Sequence, residues 1–107
     1  MVVVAFLYML RCNDGTYYVG SARGDWDALN RRVGEHNAGK YGGYTKLRRP
    51  VELVFHQEFE RITDAIAAER QLKGWSRAKK QALIRGDWAL ISLLARNHTD
   101  DPHLKRE

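Results

Sequence analysis

Apolar residues at the start of the chain form an almost unbroken run over 2–10, followed by residue types that favour tight turns. Asn, Asp and Gly occupy 13–15, and strand-favouring residues resume over 16–19. An apolar run that leads through such a turn into a second β-favouring segment predicts a β-hairpin.

The hairpin turn determines which side chains share a face. A turn that pairs Cys12 with Thr16 places Tyr8 opposite Gly20. Tyr8 and Tyr18 then lie diagonally on one face, about 7 to 8 Å apart at the backbone. Gly20 is expected to leave an open space beside Tyr8. Aromatic pairs across a hairpin are ordinary packing, so a functional interpretation needs support from residues further along the chain.

Beyond the hairpin, the pattern predicts a helix and a third strand. A loop over 20–24 leads to Asp25, which can cap a helix with apolar residues at helical spacing until Asn37 and Gly39 end it. Residues 51–59 then mostly alternate apolar and polar positions, which predicts a strand with one solvated face. The three strands are expected near 3–10, 16–20 and 51–58.

The second half of the chain predicts helices. Thr63 can cap one helix that runs to about Lys73, and Ser76 can cap another that Gly86 terminates. A short apolar segment over 88–95 follows. The element order is therefore β-β-α-β-α-α, which defines an α+β fold. We interpret the three tryptophans as core anchors rather than base-stacking platforms: Trp26, Trp75 and Trp88.

Composition limits the class of protein. The 107 residues contain no linker rich in Pro, Gly or Ser, which predicts one domain over 1–96 and a polar C-terminal tail over 97–107. The longest apolar run is too short to cross a bilayer as a helix, so we expect a soluble protein without a signal peptide. The single cysteine, Cys12, excludes an internal disulfide and fits a cytoplasmic location.

The charge of the chain indicates a polyanionic partner. Lys and Arg outnumber Asp and Glu by 18 to 13, for a formal net charge of +5. The segment 39–50 combines glycines, two tyrosines and four cations, a mixture that suits a nucleic-acid backbone and unstacked bases, although its end equally fits a solvated approach to a strand. The candidate DNA-binding residues are Arg23, Lys40, Tyr44, Lys46, Arg48 and Arg49.

Two predicted helices contribute polar residues to a candidate catalytic set. Arg32 and His36 lie one turn apart on the side of the first helix that faces the sheet. Glu69 borders the apolar stripe of the second helix, where a carboxylate needs a cation or a metal as its partner. Lys73, four residues further on, is the ordinary alternative partner in a surface ion pair. We expect five residues to converge on one concave, solvent-open face: Tyr8, Tyr18, Arg32, His36 and Glu69.

In order and placement, these five residues resemble the active-site residues of GIY-YIG nucleases. The triplets at 6–8 and 18–20 are similar to the two that name the family, with Phe6 in place of the first glycine and Val19 in place of the isoleucine. The Arg-x-x-x-His helix, the Tyr-Thr-Lys-Leu-Arg-Arg-Pro loop and the Ala-x-x-x-Glu helix resemble the small stand-alone bacterial members. The resemblance covers about residues 3–85.

The resemblance implies a three-stranded antiparallel sheet flanked by helices and an endonuclease that hydrolyses DNA phosphodiester bonds. It implies a divalent metal, Mg²⁺ or Mn²⁺, on Glu69, with Arg32 holding the phosphate. Tyr8 is the implied general base if Arg32 or a metal-bound water lowers its pKa. His36 would orient the Tyr8 hydroxyl or relay its proton, and Tyr18 would position the water or a phosphate oxygen. Single-stranded or branched DNA, and a role in DNA repair or processing, are the corresponding expectations.

Two hypotheses from other classes remain open. A nucleic-acid-binding module of the same fold would lack turnover, since fold does not imply function. A basic adaptor for another protein would use the apolar residues near the C-terminus. No small-molecule cofactor and no membrane partner are expected, and the sequence leaves the oligomeric state and the choice between DNA and RNA open.

Overall fold

Residues 4–89, the part of the chain that the computed structural model describes, contain three strands and three helices in the predicted order β-β-α-β-α-α. The elements are β1 (Ala5–Arg11), β2 (Tyr17–Arg23), α1 (Trp26–Asn37), β3 (Glu52–Phe59), α2 (Ile62–Lys73) and α3 (Arg77–Arg85), with a short 3-10 turn at Lys46–Arg48. The strands form an antiparallel sheet in the order β2-β1-β3, which confirms the predicted α+β fold.

Strand β1 lies in the middle of the sheet, and only its last residue, Arg11, is exposed. A strand that is covered on both faces needs apolar side chains at consecutive positions rather than at alternate ones. The unbroken apolar run at the start of the chain is therefore the pattern of a central strand. Strand β2 forms one edge of the sheet, and the site described below lies along it.

The hairpin has the predicted register. The Cys12 N–H donates to the Thr16 carbonyl at 2.8 Å, and Tyr8 lies opposite Gly20. Strand β2 continues past Gly20, so the prediction of a loop over 20–24 is wrong. Gly and Ser are weak strand formers by themselves, but pairing with the central strand satisfies their backbone groups and extends the strand.

Strand β3 contains a bulge where the alternation in its sequence is irregular. Met9 pairs with Phe55 and Leu10 pairs with Leu53, so Val54 is the extra residue on β3. The apolar residue that interrupts the alternation thus marks a local change of register.

Helix α1 starts and ends close to its predicted positions. The Asp25 side chain accepts a hydrogen bond from the Ala28 N–H at 3.0 Å, which confirms Asp25 as the N-cap. At the other end, Gly39 has a φ of 76°, a left-handed conformation that suits glycine. Asn37 remains helical, and its side chain forms two hydrogen bonds with the backbone of Val51, which tie the end of α1 to the residue before β3.

The later helices confirm one predicted cap and correct another. The Ser76 side chain accepts a hydrogen bond from the Lys79 N–H, and Gly86 ends α3 with a φ of 71°. Helix α2 begins one residue before Thr63, so the prediction that Thr63 caps it is wrong. The Arg61 carbonyl instead accepts from the N–H groups of the first turn, which starts the helix earlier.

Aromatic and aliphatic side chains form the core between the sheet and α1. Its buried members are Phe6, Tyr8, Leu10, Cys12, Ala22, Leu29 and Val51. Trp26 is 45% exposed and Trp88 is 64% exposed, so the prediction that the tryptophans anchor the core is wrong for these two. Leu29 is fully buried and takes the inner position on α1, while Trp26 lies at the first residue of the helix. Trp75 is half-buried, with the Lys79 ammonium 4.5 Å from its ring centroid.

The chain divides into two compact units between residues 70 and 71. The first unit contains the sheet, α1 and most of α2, and the second contains the end of α2 and α3. The boundaries at 1–96 and 97–107 stay predictions, and the apolar segment predicted over 88–95 lies mostly outside the described residues. Within 4–89, no helix combines the length and the apolar character needed to cross a membrane.

Candidate active site

A chain of two hydrogen bonds joins β1, α1 and the loop between α1 and β3. The Tyr8 hydroxyl oxygen lies 3.0 Å from Nε2 of His36, and Nδ1 of His36 lies 2.9 Å from Oγ1 of Thr45. The exposed fractions are 1% for Tyr8 and 2% for both His36 and Thr45. Both nitrogens of the imidazole therefore have a polar partner inside the protein.

Two further tyrosines enclose the His36 ring. The centroid of the Tyr18 ring lies 5.1 Å from that of His36, and the centroid of Tyr41 lies 4.8 Å from it. The Tyr41 hydroxyl also donates to Glu35, one residue before His36 on α1. Tyr8 and Tyr18 lie on one face of the sheet, as the register predicted, with ring centroids 6.3 Å apart.

The space beside Gly20 is already filled. A Cβ atom at Gly20 would lie 2.6 Å from the Tyr8 hydroxyl oxygen and 3.1 Å from Cε2 of Tyr18. The prediction of an open space is therefore wrong, because the phenol of Tyr8 folds over Gly20 and occupies it. Glycine at this position permits the close approach.

Arg32 and Glu69 approach the β2 edge at the same residue, Ser21. The Ser21 hydroxyl donates to Oε1 of Glu69 at 2.7 Å, and Nη2 of Arg32 donates weakly to the Ser21 carbonyl at 3.5 Å. Successive side chains of a strand point to opposite faces, so the Ser21 side chain lies on the face opposite to Tyr8. Glu69 thus meets β2 through a side chain on that other face, yet it lies close enough to Tyr8 to contribute to the raised pKa of the phenol. The convergence of all five residues on one face stays a prediction.

The expectation of a solvent-open site also needs correction. Tyr8 and His36 are buried, whereas Tyr18, Arg32 and Glu69 are half-buried. The loop after α1 covers His36, because Thr45 and Tyr41 pack directly against its ring. The site therefore has a closed interior and a partly open rim.

Burial controls the protonation of the interior. Burial and the neighbouring Tyr18 raise the pKa of Tyr8 well above its ordinary value, and Arg32 offsets only part of this effect. Burial, followed by Arg32, lowers the pKa of His36 below its ordinary value. Arg32 lowers the pKa of Tyr8, as expected, but burial raises it by more. At neutral pH, Tyr8 is a protonated phenol and His36 is a neutral imidazole.

Glu69 is the residue that fits a metal ion. Residues 4–89 contain no group of three or more His, Cys, Asp or Glu side chains placed to hold a metal together. A single half-buried carboxylate fits Mg²⁺, which keeps several of its waters and is often held by one or two carboxylates and a substrate phosphate. The predicted ion pair of Glu69 with Lys73 stays a prediction, and Ser21 is a partner of Glu69 that the sequence analysis missed.

Arg48 anchors the loop to the hairpin. Its Nε donates to Oδ2 of Asp14 at 3.0 Å, and its Nη1 donates to the Tyr44 carbonyl at 2.9 Å. The guanidinium carbon lies 3.9 Å from the Tyr44 ring centroid. The Arg48 carbonyl also accepts from the Asn13 N–H at 2.9 Å. Arg48 thus has a structural role that its place in a basic motif did not indicate.

The other predicted DNA-binding residues differ in their surroundings. Lys46 and Arg49 are exposed and line a surface groove together with Leu47, which is 87% exposed. Lys40 forms a surface ion pair with Glu35 at 3.2 Å. Tyr44 and Arg23 are exposed as well. Tyr44 stacks on Arg48, and Arg23 is the last residue of β2, two residues beyond Ser21.

The antiparallel sheet, with two tyrosines on its hairpin and an Arg-His pair on the helix that follows, defines a small catalytic domain of the GIY-YIG type. Residues 4–82 match the family described as the GIY-YIG catalytic domain. The chain belongs to this family.

Relatives in several bacteria match most of this chain and most of their own length. The chain is 40% identical over 80 residues to a UPF0213 protein of Staphylococcus aureus strain Mu3, which covers 75% of this chain and 93% of the relative. The solution NMR structure of the protein EF2693 from E. faecalis is 32% identical, covers 80% of this chain and 88% of that chain, and has a TM-score of 0.53. The NMR structure of the UPF0213 protein BH0048 from Bacillus halodurans is 34% identical over 76% of this chain and 82% of that chain, with a TM-score of 0.47.

Proposed function

We propose that this protein is a metal-dependent endonuclease that hydrolyses phosphodiester bonds in DNA. The observation that carries the proposal is the hydrogen-bonded Tyr8–His36 pair beside the edge strand at which Arg32 and Glu69 meet. A proton acceptor, a cation and a carboxylate are thereby combined in one small region. Membership of a catalytic-domain family supports the same conclusion.

Hydrolysis of a phosphodiester needs an activated water and positive charge where the phosphate and the leaving oxygen become more negative. Arg32 can hold two phosphate oxygens through its planar guanidinium, which a lysine cannot do. Glu69 would hold the divalent ion, Mg²⁺ or Mn²⁺. When bound, the ion would neutralise charge on the phosphate and on the departing oxygen.

The protonation states favour a relay rather than a phenolate base. Because the pKa of Tyr8 is raised and that of His36 is lowered, the phenol holds its proton and the imidazole is free to accept one. Tyr8 can take a proton from the attacking water while it gives its own proton to Nε2 of His36. The Tyr8 oxygen ends protonated, as it began, and His36 becomes the imidazolium. In this assignment His36 is the final base and Tyr8 is the relay.

The substrate is proposed to be DNA with single-stranded or branched regions, as in DNA repair or processing. The exposed loop residues Lys46 and Arg49 can contact phosphates, and Tyr44, which is 40% exposed, can stack on an unpaired base. The Tyr44 ring lies 6.2 Å from that of Tyr18, so a base at Tyr44 would be close to the catalytic set. A cytoplasmic location is proposed because the single cysteine, Cys12, is buried as a free thiol.

The second candidate function is nucleic-acid binding without turnover. The specific observation in its favour is the 1% exposure of Tyr8, since a water must reach the phenol oxygen before it can be activated. In the nuclease, DNA binding has to displace part of the covering loop. In a binding module, this displacement would not occur.

A cleavage assay separates the two functions. Single-stranded, duplex, flap and junction DNA are incubated with Mg²⁺ or Mn²⁺ and with the parent protein, Glu69→Gln or Glu60→Gln. The parent and the exposed control Glu60→Gln should cleave, and Glu69→Gln should not. Glutamine can still accept the Ser21 hydrogen bond, so the fold should remain, and DNA binding without metal should be unchanged or slightly tighter.

Each contrary outcome has a defined meaning. Binding without cleavage by the parent protein would support the binding module. Cleavage by Glu69→Gln at the parent rate would remove the metal role from Glu69. A protein that neither binds nor cleaves any of the four DNAs would refute both functions.

A further inference from the structure

Thr45 is a buried residue in an otherwise exposed loop. Its exposed fraction is 2%, whereas its neighbours Tyr44 and Lys46 are exposed and Leu47 is 87% exposed. A buried hydroxyl needs a hydrogen-bond partner, because water is not available to replace it. For Thr45 this partner is Nδ1 of His36, at 2.9 Å.

The neutral imidazole can be arranged in two ways between its partners. It has one N–H donor and one acceptor nitrogen. In one tautomer Nδ1–H donates to Thr45 and Nε2 accepts from Tyr8. In the other, the Thr45 hydroxyl donates to Nδ1 and Nε2–H donates to the Tyr8 oxygen. Only the first leaves a lone pair directed at the Tyr8 hydroxyl.

The chemistry of the two hydroxyl groups distinguishes the arrangements. A phenol is a stronger acid than an aliphatic alcohol, and burial raises the pKa of both kinds of hydroxyl group, so the buried Tyr8 phenol remains the better donor to an imidazole nitrogen than the buried Thr45 hydroxyl. The Thr45 hydroxyl is correspondingly the better acceptor for Nδ1–H. In the favoured arrangement, the Tyr8 hydroxyl therefore donates to Nε2 of His36, and Nδ1–H of His36 donates to Oγ1 of Thr45.

We propose that Thr45 is a positioning residue, whose Oγ1 accepts the Nδ1–H of His36 and thereby keeps the Nε2 lone pair directed at the Tyr8 hydroxyl. The expected effect of Thr45 on kcat rests on the proposed nuclease function. The tautomer itself is a property of the free protein and is independent of that function.

The position of Thr45 is itself held by the loop. The Thr45 carbonyl accepts from the Arg48 N–H at 3.0 Å, and Arg48 is bound to Asp14 of the hairpin turn. The exposed cations Lys46 and Arg49 lie close to Thr45 in the sequence: Lys46 is the first residue of the 3-10 turn that follows Thr45, and Arg49 comes directly after this turn. A DNA phosphate that engages these cations would act on the same segment that orients His36. The loop thus links substrate contact to the catalytic pair.

Nitrogen NMR of protein labelled at histidine tests the tautomer directly. In the parent, the His36 signals should show a protonated Nδ1 and an unprotonated Nε2 at neutral pH. Thr45→Val keeps the shape of the side chain but removes the acceptor, so the signals should move towards the other tautomer. Thr45→Ser should restore the parent signals, and the exposed control Thr63→Val should not change them.

The kinetic test uses the same variants. Loss of an orienting hydrogen bond to an imidazole should reduce kcat of Thr45→Val by about 10-fold to 100-fold, with KM nearly unchanged. Thr45→Ser should recover most of kcat, whereas a merely structural role would lower the melting temperature and raise KM without this pattern. A parent protein with protonated Nε2 overturns the inference, even if Thr45→Val does not fold. The inference is also overturned if the Thr45→Val variant folds and has the His36 NMR signals or the kcat of the parent. If the tautomer is as expected but no variant or parent cleaves DNA, the nuclease function fails while the role of Thr45 in positioning His36 stands.

Discussion

Two neighbouring parts of one loop use polar residues in opposite ways. Thr45 is 2% exposed, and its hydroxyl lies 2.9 Å from Nδ1 of His36, whereas Leu47, two residues later, is 87% exposed near the exposed cations Lys46 and Arg49. Inside the protein a polar group must be matched by a specific partner, and its energy depends on the local dielectric. At the surface, water can replace any partner and salt screens the charge.

This difference indicates a division of function. The buried chain of Tyr8, His36 and Thr45 is sensitive to the placement of single atoms, as catalysis requires. The exposed cations Lys46 and Arg49 contribute charge that tolerates movement, as contact with a phosphate backbone requires. Substitutions should therefore have large effects near the interior and small, salt-dependent effects on the loop surface.

After the loss of cleavage expected for Glu69→Gln, the largest effect is expected for Arg32→Lys, which keeps the charge but loses the planar guanidinium. Turnover should fall by about 30-fold to 1000-fold, or about 2 to 4 kcal/mol of barrier, by analogy with the loss of one preorganised donor. Arg31→Lys, on the exposed side of the same helix, should cleave like the parent. Single-turnover cleavage with a parallel thermal melt provides the measurement. Equal cleavage by both variants would show that the guanidinium of Arg32 is not needed for the reaction.

Gly20→Ala should be the most destabilising of the proposed substitutions. The added Cβ would lie 2.6 Å from the Tyr8 hydroxyl oxygen, so the phenol must move and its hydrogen bond to His36 must change. The free energy of unfolding should fall by about 1 to 3 kcal/mol, as for other overpacked sites. Gly34→Ala is the matched control because a Cβ there meets nothing within 4 Å on α1, and it should raise the free energy of unfolding by up to about 1 kcal/mol. Denaturant unfolding of both variants measures the difference, and equal changes would contradict it.

A smaller effect is expected for acidification. The folded protein keeps His36 neutral because its pKa is lowered, while the unfolded chain binds a proton near the ordinary value of about 6.5. The unfolded state therefore binds more protons as the pH falls through this value. The free energy of unfolding should decrease until the pH passes below the folded pKa of His36.

Denaturant unfolding between pH 5 and 8 measures this dependence above the range in which carboxylates protonate. His36→Gln should flatten the curve, because it removes the imidazole whose pKa is lowered in the folded protein. A parent curve that is already flat would show that His36 is not held neutral by burial.

The smallest effect is expected for the loop arginines. Arg49→Ala should weaken DNA binding a few-fold for all sequences alike and reduce the slope of log K against log salt by about 1. Arg48→Ala should do the same but also destabilise the loop, because it releases Asp14 and Tyr44. Asp14→Asn breaks the ion pair while leaving the Arg48 cation, and so separates the two effects. An unchanged salt slope for Arg49→Ala would assign Arg49 to the solvated surface.

The sequence by itself determined the order of the elements and the hairpin register. These features follow from local patterns: an apolar run for a strand buried on both faces, a turn at 13–15, and caps at Asp25 and Ser76. The same patterns placed Tyr8 and Tyr18 on one face, since a strand has a side-chain period of two. The resemblance of scattered residues to the GIY-YIG family then led to the family that the chain belongs to.

Only the tertiary structure decided the contacts and the burial of the site. Ser21 meets Glu69 across 48 residues of sequence, and Tyr8 meets His36 across 28. No local pattern encodes such pairs, because they depend on how the helices pack against the sheet. The protonation of Tyr8 and His36 is also decided there, since desolvation is a property of the surrounding atoms and not of the residue type.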